Sequence, residues 1–123
     1  MNNLINELEK YAKDNNIPIM LKDGIEYLCD YIKKHNIKSI LEIGSAIGYS
    51  SIMMALVNKN IKIMTIEKDL NRYNIAVSNI KKFNLEKQIT ILNEDALNFE
   101  TNEKFDLIFI DASKGNNINF FNK

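Results

Sequence analysis

KSILEIGSAIGYSSIMMALV, residues 38 to 57, changes its pattern twice in a few positions. Ile40, Leu41 and Ile43 form a short apolar run with two β-branched members, the composition of a buried strand. Gly44 and Gly48 bracket a tight turn, and from Tyr49 the sequence reads as a helix to about residue 58. A strand, a glycine turn and a helix in that order make the first half of a β-α-β crossover. The pattern continues toward the C-terminus: IKIMTIEKD (61 to 69) is a second strand, QITILNEDA (88 to 96) a third and KFDLIFIDA (104 to 112) a fourth. Between the second and third, residues 70 to 84 place Leu70, Tyr73, Ala76, Val77, Ile80 and Phe83 on one helical face. Strands alternating with helices predict an α/β fold with a parallel sheet, and the unbroken apolar LIFI predicts a strand covered on both sides.

Two helices are expected ahead of this unit. Leu4, Ile5, Leu8, Tyr11 and Ala12 recur at helical spacing over about 3 to 14, and Asn15 and Asn16 end that helix. The only proline, Pro18, biases Ile17 away from helical geometry. Ile25, Leu28, Cys29 and Ile32 mark a second helix over about 23 to 35. Residues 1–36 thus read as an N-terminal helical cap, and residues 37–123 as the sheet-bearing part.

Sixteen basic residues balance sixteen acidic ones in 123 residues, which argues against indiscriminate nucleic-acid binding. Lys10, Lys13, Lys22, Lys33 and Lys34 provide basic positions on the first two helices, where solvated lysines are ordinary. The single cysteine, Cys29, has no partner for an internal disulfide and suits a reducing compartment. No apolar stretch reaches the roughly 18 residues of a membrane span. A cytoplasmic location is therefore expected.

In an open parallel sheet, ligands gather at the carboxyl ends of the strands. Glu42 and the glycine loop end the first strand, Glu67 the second, Asp95 the third and Asp111 the fourth. The loop is Gly44-Ser45-Ala46-Ile47-Gly48, which lacks the G-x-G-x-x-G of dinucleotide folds and the Gly-Lys-Ser/Thr of phosphate loops. A carboxylate at Glu67 can accept both hydroxyls of a ribose, or else serve as a helix-capping surface charge. Asp95 is placed to reach an adenine edge, with Ala96 leaving room for a flat ring; alone, such an aspartate is more often a helix cap.

LEIGSAIGYSS, TIEKD, NEDAL and FIDASKG, in this order and spacing, resemble the metal-dependent O-methyltransferases of the catechol and caffeoyl-CoA type, which use S-adenosylmethionine. YAKDNNIPIM and the KG after Asp-Ala-Ser resemble the bacterial branch that includes the tRNA 5-hydroxyuridine methyltransferase. The resemblance implies a class I, Rossmann-like, doubly wound sheet of strand order 3-2-1-4, truncated after the fourth strand, with the N-terminal helices covering the cofactor. Glu42 and Gly44 would line the methionine part of S-adenosylmethionine, beside Tyr49 and Ser50, with Ser50 bonding its carboxylate. Glu67 would hold the ribose, Asp95 and Ala96 would border the adenine, and Met20 would close near the sulfonium. Asp111 would border the cofactor and bind magnesium, and Lys114 would act as general base.

The implied acceptor is a hydroxyl, either of wobble 5-hydroxyuridine in tRNA or of a small catechol-like or phenolic molecule, and the implied assembly is a homodimer. Two departures stand out. Asn117 occupies a position that is usually aromatic in the family, and the Asp-Asn pair that completes the metal site does not occur within these residues. The resemblance therefore implies the cofactor-binding portion of a longer domain, leaving a catalytically inactive cofactor-binding fragment as an alternative. It further implies an unpaired outer edge on the fourth strand, with residues 118 to 123 starting a helix.

Overall fold

The computed structural model describes residues 2–17, 19, 22–112 and 117–122, and the side chains of all of these except residues 2, 22, 111, 112 and 117–122. Two helices, α1 (Asn2–Asp14) and α2 (Lys22–Lys34), precede β1 (Ser39–Ile43), α3 (Tyr49–Ala55), β2 (Lys62–Ile66), α4 (Leu70–Lys82) and β3 (Ile89–Leu92). A 3-10 turn (Ala96–Asn98), β4 (Leu107–Ala112) and β5 (Asn117–Asn122) complete the order. The sheet runs β3-β2-β1-β4-β5. Its first four strands are parallel and stand in the expected 3-2-1-4 order.

Alternation along the strands divides the core into two faces. Ile40, Ile63, Ile89, Leu107 and Phe109 point to the face on which all four helices pack, through Leu8 and Ala12 of α1, Ile25, Leu28 and Ile32 of α2, Ile52 and Met54 of α3, and Ile80 of α4. The intervening residues Leu41 and Ile66 belong to the opposite face, where Phe105 and Phe99 cover them. The same alternation puts Glu42 and Thr65, paired in register across β1 and β2, on the helix face.

Three helices end alike. Asn16, Asn36 and Asn84 adopt left-handed φ of 56°, 52° and 58°. The next N–H in each case, from Ile17, Ile37 and Leu85, donates to a carbonyl five residues back at 2.9, 3.0 and 3.1 Å. This is the Schellman stop, in which asparagine tolerates the left-handed conformation and an apolar residue follows it. At the end of the sheet away from the glycine loop, the Gln88 amide gathers the carbonyls of Ala55, Asn58 and Ile61 at 3.1, 3.0 and 3.1 Å, fixing the α3–β2 turn.

The chain's last described segment departs from expectation. Residues 117–122 form β5, antiparallel to β4 and in register from Ala112↔Asn117 to Leu107↔Asn122, where a helix and an exposed β4 edge were expected. Both outcomes have the same cause: β4's outer backbone groups need partners, and Asn-Ile-Asn-Phe-Phe is weak in helix propensity but rich in strand formers.

Candidate functional site

A cavity of about 330 Å³ opens at the carboxyl ends of the parallel strands, lined by Gly44 and Ala46 of the glycine loop, Glu67 after β2, and Asp95 and Ala96 after β3. Lys68, Arg72 and Glu94 stand at its wall as well. Its volume lies at the small end of the range for ligand pockets. The residues at 44, 46 and 96 are small, and the carboxylates of Glu67 and Asp95 supply polar points in the lining.

The loop is shaped by three left-handed residues, Gly44 (φ 94°), Ala46 (φ 50°) and Gly48 (φ 91°). Gly44 and Ser45 donate their N–H groups to the carbonyl of Ile66 at 2.8 and 3.2 Å. A side chain at Gly48 would meet the backbone of Ala76 at 3.5 Å, so α4 passes close behind the loop. From α4, Asn79 Nδ2 donates to the carbonyl of Ile47 at 2.9 Å.

Glu67 is only 7% exposed. Its Oε1 accepts from Ala46 N–H at 2.6 Å and its Oε2 from Asp69 N–H at 3.0 Å. The helix-capping role falls instead to Asp69, whose side chain receives the N–H groups of Asn71 and Arg72. An ionised carboxylate offers about four acceptor directions, so Glu67 keeps one on each oxygen for a pair of hydroxyls. Asn93 steadies this tip by donating to the carbonyls of Glu67 and Lys68 at 2.9 and 3.2 Å. Asp95 caps the 3-10 turn by accepting from Leu97 N–H through Oδ1 at 3.0 Å, while Oδ2 faces no partner among the described residues.

Glu42 does not line this cavity. It is fully buried and accepts from the hydroxyls of Ser50 and Ser51 in the first turn of α3 and from Thr65 Oγ1 at 2.7 Å. The Thr65 proton is thereby committed, so Ser45 donates its own hydroxyl to Thr65 at 2.5 Å. The result is an inner polar cluster beneath the loop, in which the carboxylate's burial is offset by hydroxyl donors. Ser50 belongs to that cluster in this structure.

Tyr49 is turned elsewhere too. Its ring is buried, and its hydroxyl donates to Glu9 Oε2 on α1 at 2.7 Å. Burial, the bond to Glu9 and the neighbouring negative charges all push its pKa up. Cys29, whose thiol donates to the carbonyl of Met53 at 3.6 Å, is pushed up to about 11 by burial and by Asp30.

The structure thus brings Gly44, Glu67, Asp95 and Ala96 together around one cavity and sets Glu42, Tyr49 and Ser50 behind or beside it. Met20, Lys114 and the side chain of Asp111 lie outside the described residues. Among the described residues no group of three or more histidine, cysteine, aspartate or glutamate side chains could hold a metal ion. No described helix is long and apolar enough to cross a membrane. Thr65, Ser45, Asn79 and Asn93 escape a reading of the sequence alone. Of these, Thr65 carries the one signal, as a polar residue inside an otherwise apolar strand.

The O-methyltransferase family matches residues 1–123. A catechol O-methyltransferase of Niastella koreensis is 38% identical over 84 residues, covering 63% of this chain and 38% of that protein. A caffeoyl-CoA O-methyltransferase of Populus kitakamiensis is 30% identical over 115 residues, covering 86% and 48%. An O-methyltransferase of Bacillus cereus, solved in complex with S-adenosylhomocysteine, is similar with a TM-score of 0.80 and 29% identity, over 91% of this chain and 55% of that one. The chain spans about half the length of the relatives it matches, or less. With the strand order, the glycine loop and the carboxylate at the tip of β2 all in place, it belongs to the O-methyltransferase family.

Proposed function

We propose that the cavity binds S-adenosylmethionine and that the whole protein transfers its methyl group to a hydroxyl oxygen. One observation carries the reading: Glu67, buried at the tip of β2, is held by two backbone N–H groups yet keeps an acceptor direction on each oxygen for the two hydroxyls of a ribose. Ala96 and Asp95 would then border the adenine, and the chain would run past Gly44 toward the methionine end. The complex of the similar Bacillus cereus protein with S-adenosylhomocysteine supports this choice of cofactor.

Bound S-adenosylmethionine supplies a methyl group on sulfur, electrophilic enough for direct displacement by oxygen. The described residues contribute a fixed nucleoside seat and a rigid loop, which set the position from which the methyl is presented. Magnesium with Asp111 as a ligand, and Lys114 as base, remain part of the reading through the sequence resemblance. The described residues assemble no metal site, and a magnesium ion needs more oxygen ligands than one carboxylate.

For the acceptor, the similar proteins favour a small aromatic diol, since one is named for catechol and another for caffeoyl-CoA. Wobble 5-hydroxyuridine of tRNA, the other expectation, rests on the bacterial-type YAKDNNIPIM and SKG motifs. Calorimetric titration with S-adenosylhomocysteine and, separately, NAD tests the cofactor: saturable binding of the first alone is expected, and tight binding of NAD would overturn the assignment. Radiolabelled methyl transfer by the whole protein to catechol and to hydroxyuridine-bearing tRNA then separates the acceptors.

A further inference from the structure

We infer that Asn79 of α4 is a positioning residue for the cofactor loop; this rests on the reading of the cavity as the S-adenosylmethionine site. The loop from Gly44 to Gly48 holds three left-handed residues, and one of them, Ala46, has a side chain that disfavours the conformation. Such a segment stays in one shape only if its surroundings over-determine it.

Most of the restraint comes from the β2 side. The carbonyl of Ile66 takes the N–H groups of Gly44 and Ser45, and Glu67 takes that of Ala46. On the α4 side, one polar contact does the corresponding job, Asn79 Nδ2 on the carbonyl of Ile47 at 2.9 Å. No other donor reaches that carbonyl among the described residues. Ile47 itself is fully buried, and the carbonyl end of its 47–48 peptide is held, among the described residues, by Asn79 alone.

The Ile47 carbonyl shares its peptide unit with the Gly48 N–H, which donates to the Ser45 carbonyl at 2.8 Å. That carbonyl shares its peptide unit with the Ala46 N–H, which ends on the carboxylate of Glu67. Loss of the Asn79 bond therefore propagates through the Ile47–Gly48 and Ser45–Ala46 peptides to the carboxylate that faces the ribose. The close approach of Ala76 to Gly48 holds the loop by shape but supplies no partner for the carbonyl. Asn79 itself touches no ligand; it acts through the loop.

The test compares Asn79→Ala and Asn79→Asp with Gln88→Ala in the 123-residue chain. Aspartate keeps the shape but replaces the donor with an acceptor that repels the Ile47 carbonyl. Gln88→Ala removes amide-to-carbonyl bonds at the opposite end of the sheet and controls for simple destabilisation. Calorimetry gives the dissociation constant for S-adenosylhomocysteine, and hydrogen exchange of the ligand-free protein reads the amides of residues 46 to 48.

Both Asn79 variants are expected to bind about threefold to tenfold more weakly, the worth of one hydrogen bond, and to exchange faster at 46 to 48. Gln88→Ala is expected to melt earlier with affinity and loop exchange unchanged. Unchanged affinity and exchange in the Asn79 variants, or an equal loss in Gln88→Ala, overturns the inference. If the unaltered chain binds no S-adenosylhomocysteine, the cofactor reading fails separately. The inference then stands on faster exchange confined to the loop and falls without it.

Discussion

A carboxylate that already receives two backbone N–H groups is fixed in orientation before any ligand arrives, and Glu67 meets that condition while facing the cavity. Its removal should therefore act twice, once through the lost acceptors and once through release of Ala46. Glu67→Ala is expected to weaken S-adenosylhomocysteine binding by at least about a hundredfold, from the loss of two hydrogen bonds to a charged group. Glu67→Gln should also bind poorly, because its amide would turn a donor toward Ala46 or Asp69. Calorimetry measures both, and wild-type affinity in either would remove Glu67 from the site. Thr65 acts deeper down, giving its proton to Glu42 and accepting that of Ser45. Thr65→Val keeps the shape but removes one of the hydroxyl donors of Glu42 and the acceptor of the Ser45 hydroxyl, so urea unfolding should show a loss of about 1–3 kcal/mol; an unchanged midpoint would mean that the donors from Ser50 and Ser51 suffice for Glu42. Glu67 was legible in the sequence because it follows directly on a strand. The burial of Glu42 was not, because its hydroxyl partners come from α3 and from β2, and only the sheet register and the packing of α3 bring them to it.

Elements were easier to read than their ends and partners. The first four strands follow from their apolar runs, since burial on a sheet face leaves few alternatives, whereas their 3-2-1-4 order comes from the family resemblance. The strand boundaries shrank in the structure: β2 is Lys62–Ile66 and β3 Ile89–Leu92, because the residues after them turn away to make the site. β5 could not be read as a strand from Ile118, Phe120 and Phe121 alone, as its pairing depends on the free edge of β4. The three Asn stops lay in plain view as Asn-Ile, Asn-Ile and Asn-Leu after helical runs, and their shared geometry gives them a common test. At Asn84, φ is 58°, a conformation that costs a β-carbon-bearing residue about 1–2 kcal/mol and glycine nearly nothing. Asn84→Ala should lower stability by about 1 kcal/mol, whereas Asn84→Gly should match or exceed the parent. Paired urea melts decide it: if alanine is tolerated as well as glycine, the left-handed stop does not limit α4.

At the scale of the whole molecule, α1 and α2 share one core with the sheet, and two titratable groups lie in the seam where they meet α3. Tyr49 of α3 reaches Glu9 of α1, and Cys29 of α2 reaches the carbonyl of Met53 in α3. Folding raises the pKa of both, chiefly by burial, with Cys29 moving from 9.0 to about 11. Well below pH 9 both groups keep nearly all their protons in the folded and unfolded chains alike, and their contribution to stability is fully present. As pH rises from there, the unfolded chain sheds protons that the folded one retains, so stability falls until Cys29 titrates near 11, with Tyr49 extending the loss upward. Urea midpoints measured from pH 7 to 10.5 should hold level and then decline above about 9. Replacing both groups, as Cys29→Ala with Tyr49→Phe, should flatten that decline while lowering the midpoint at neutral pH through lost packing and the lost Glu9 bond. The cysteine's share has its own readout, since two pKa units mean about a hundredfold less thiolate at pH 8. Ellman's reagent should label Cys29 far more slowly in the native chain than in urea. A decline equally steep in the double variant would show that the seam between the N-terminal helices and α3 is not where alkali acts.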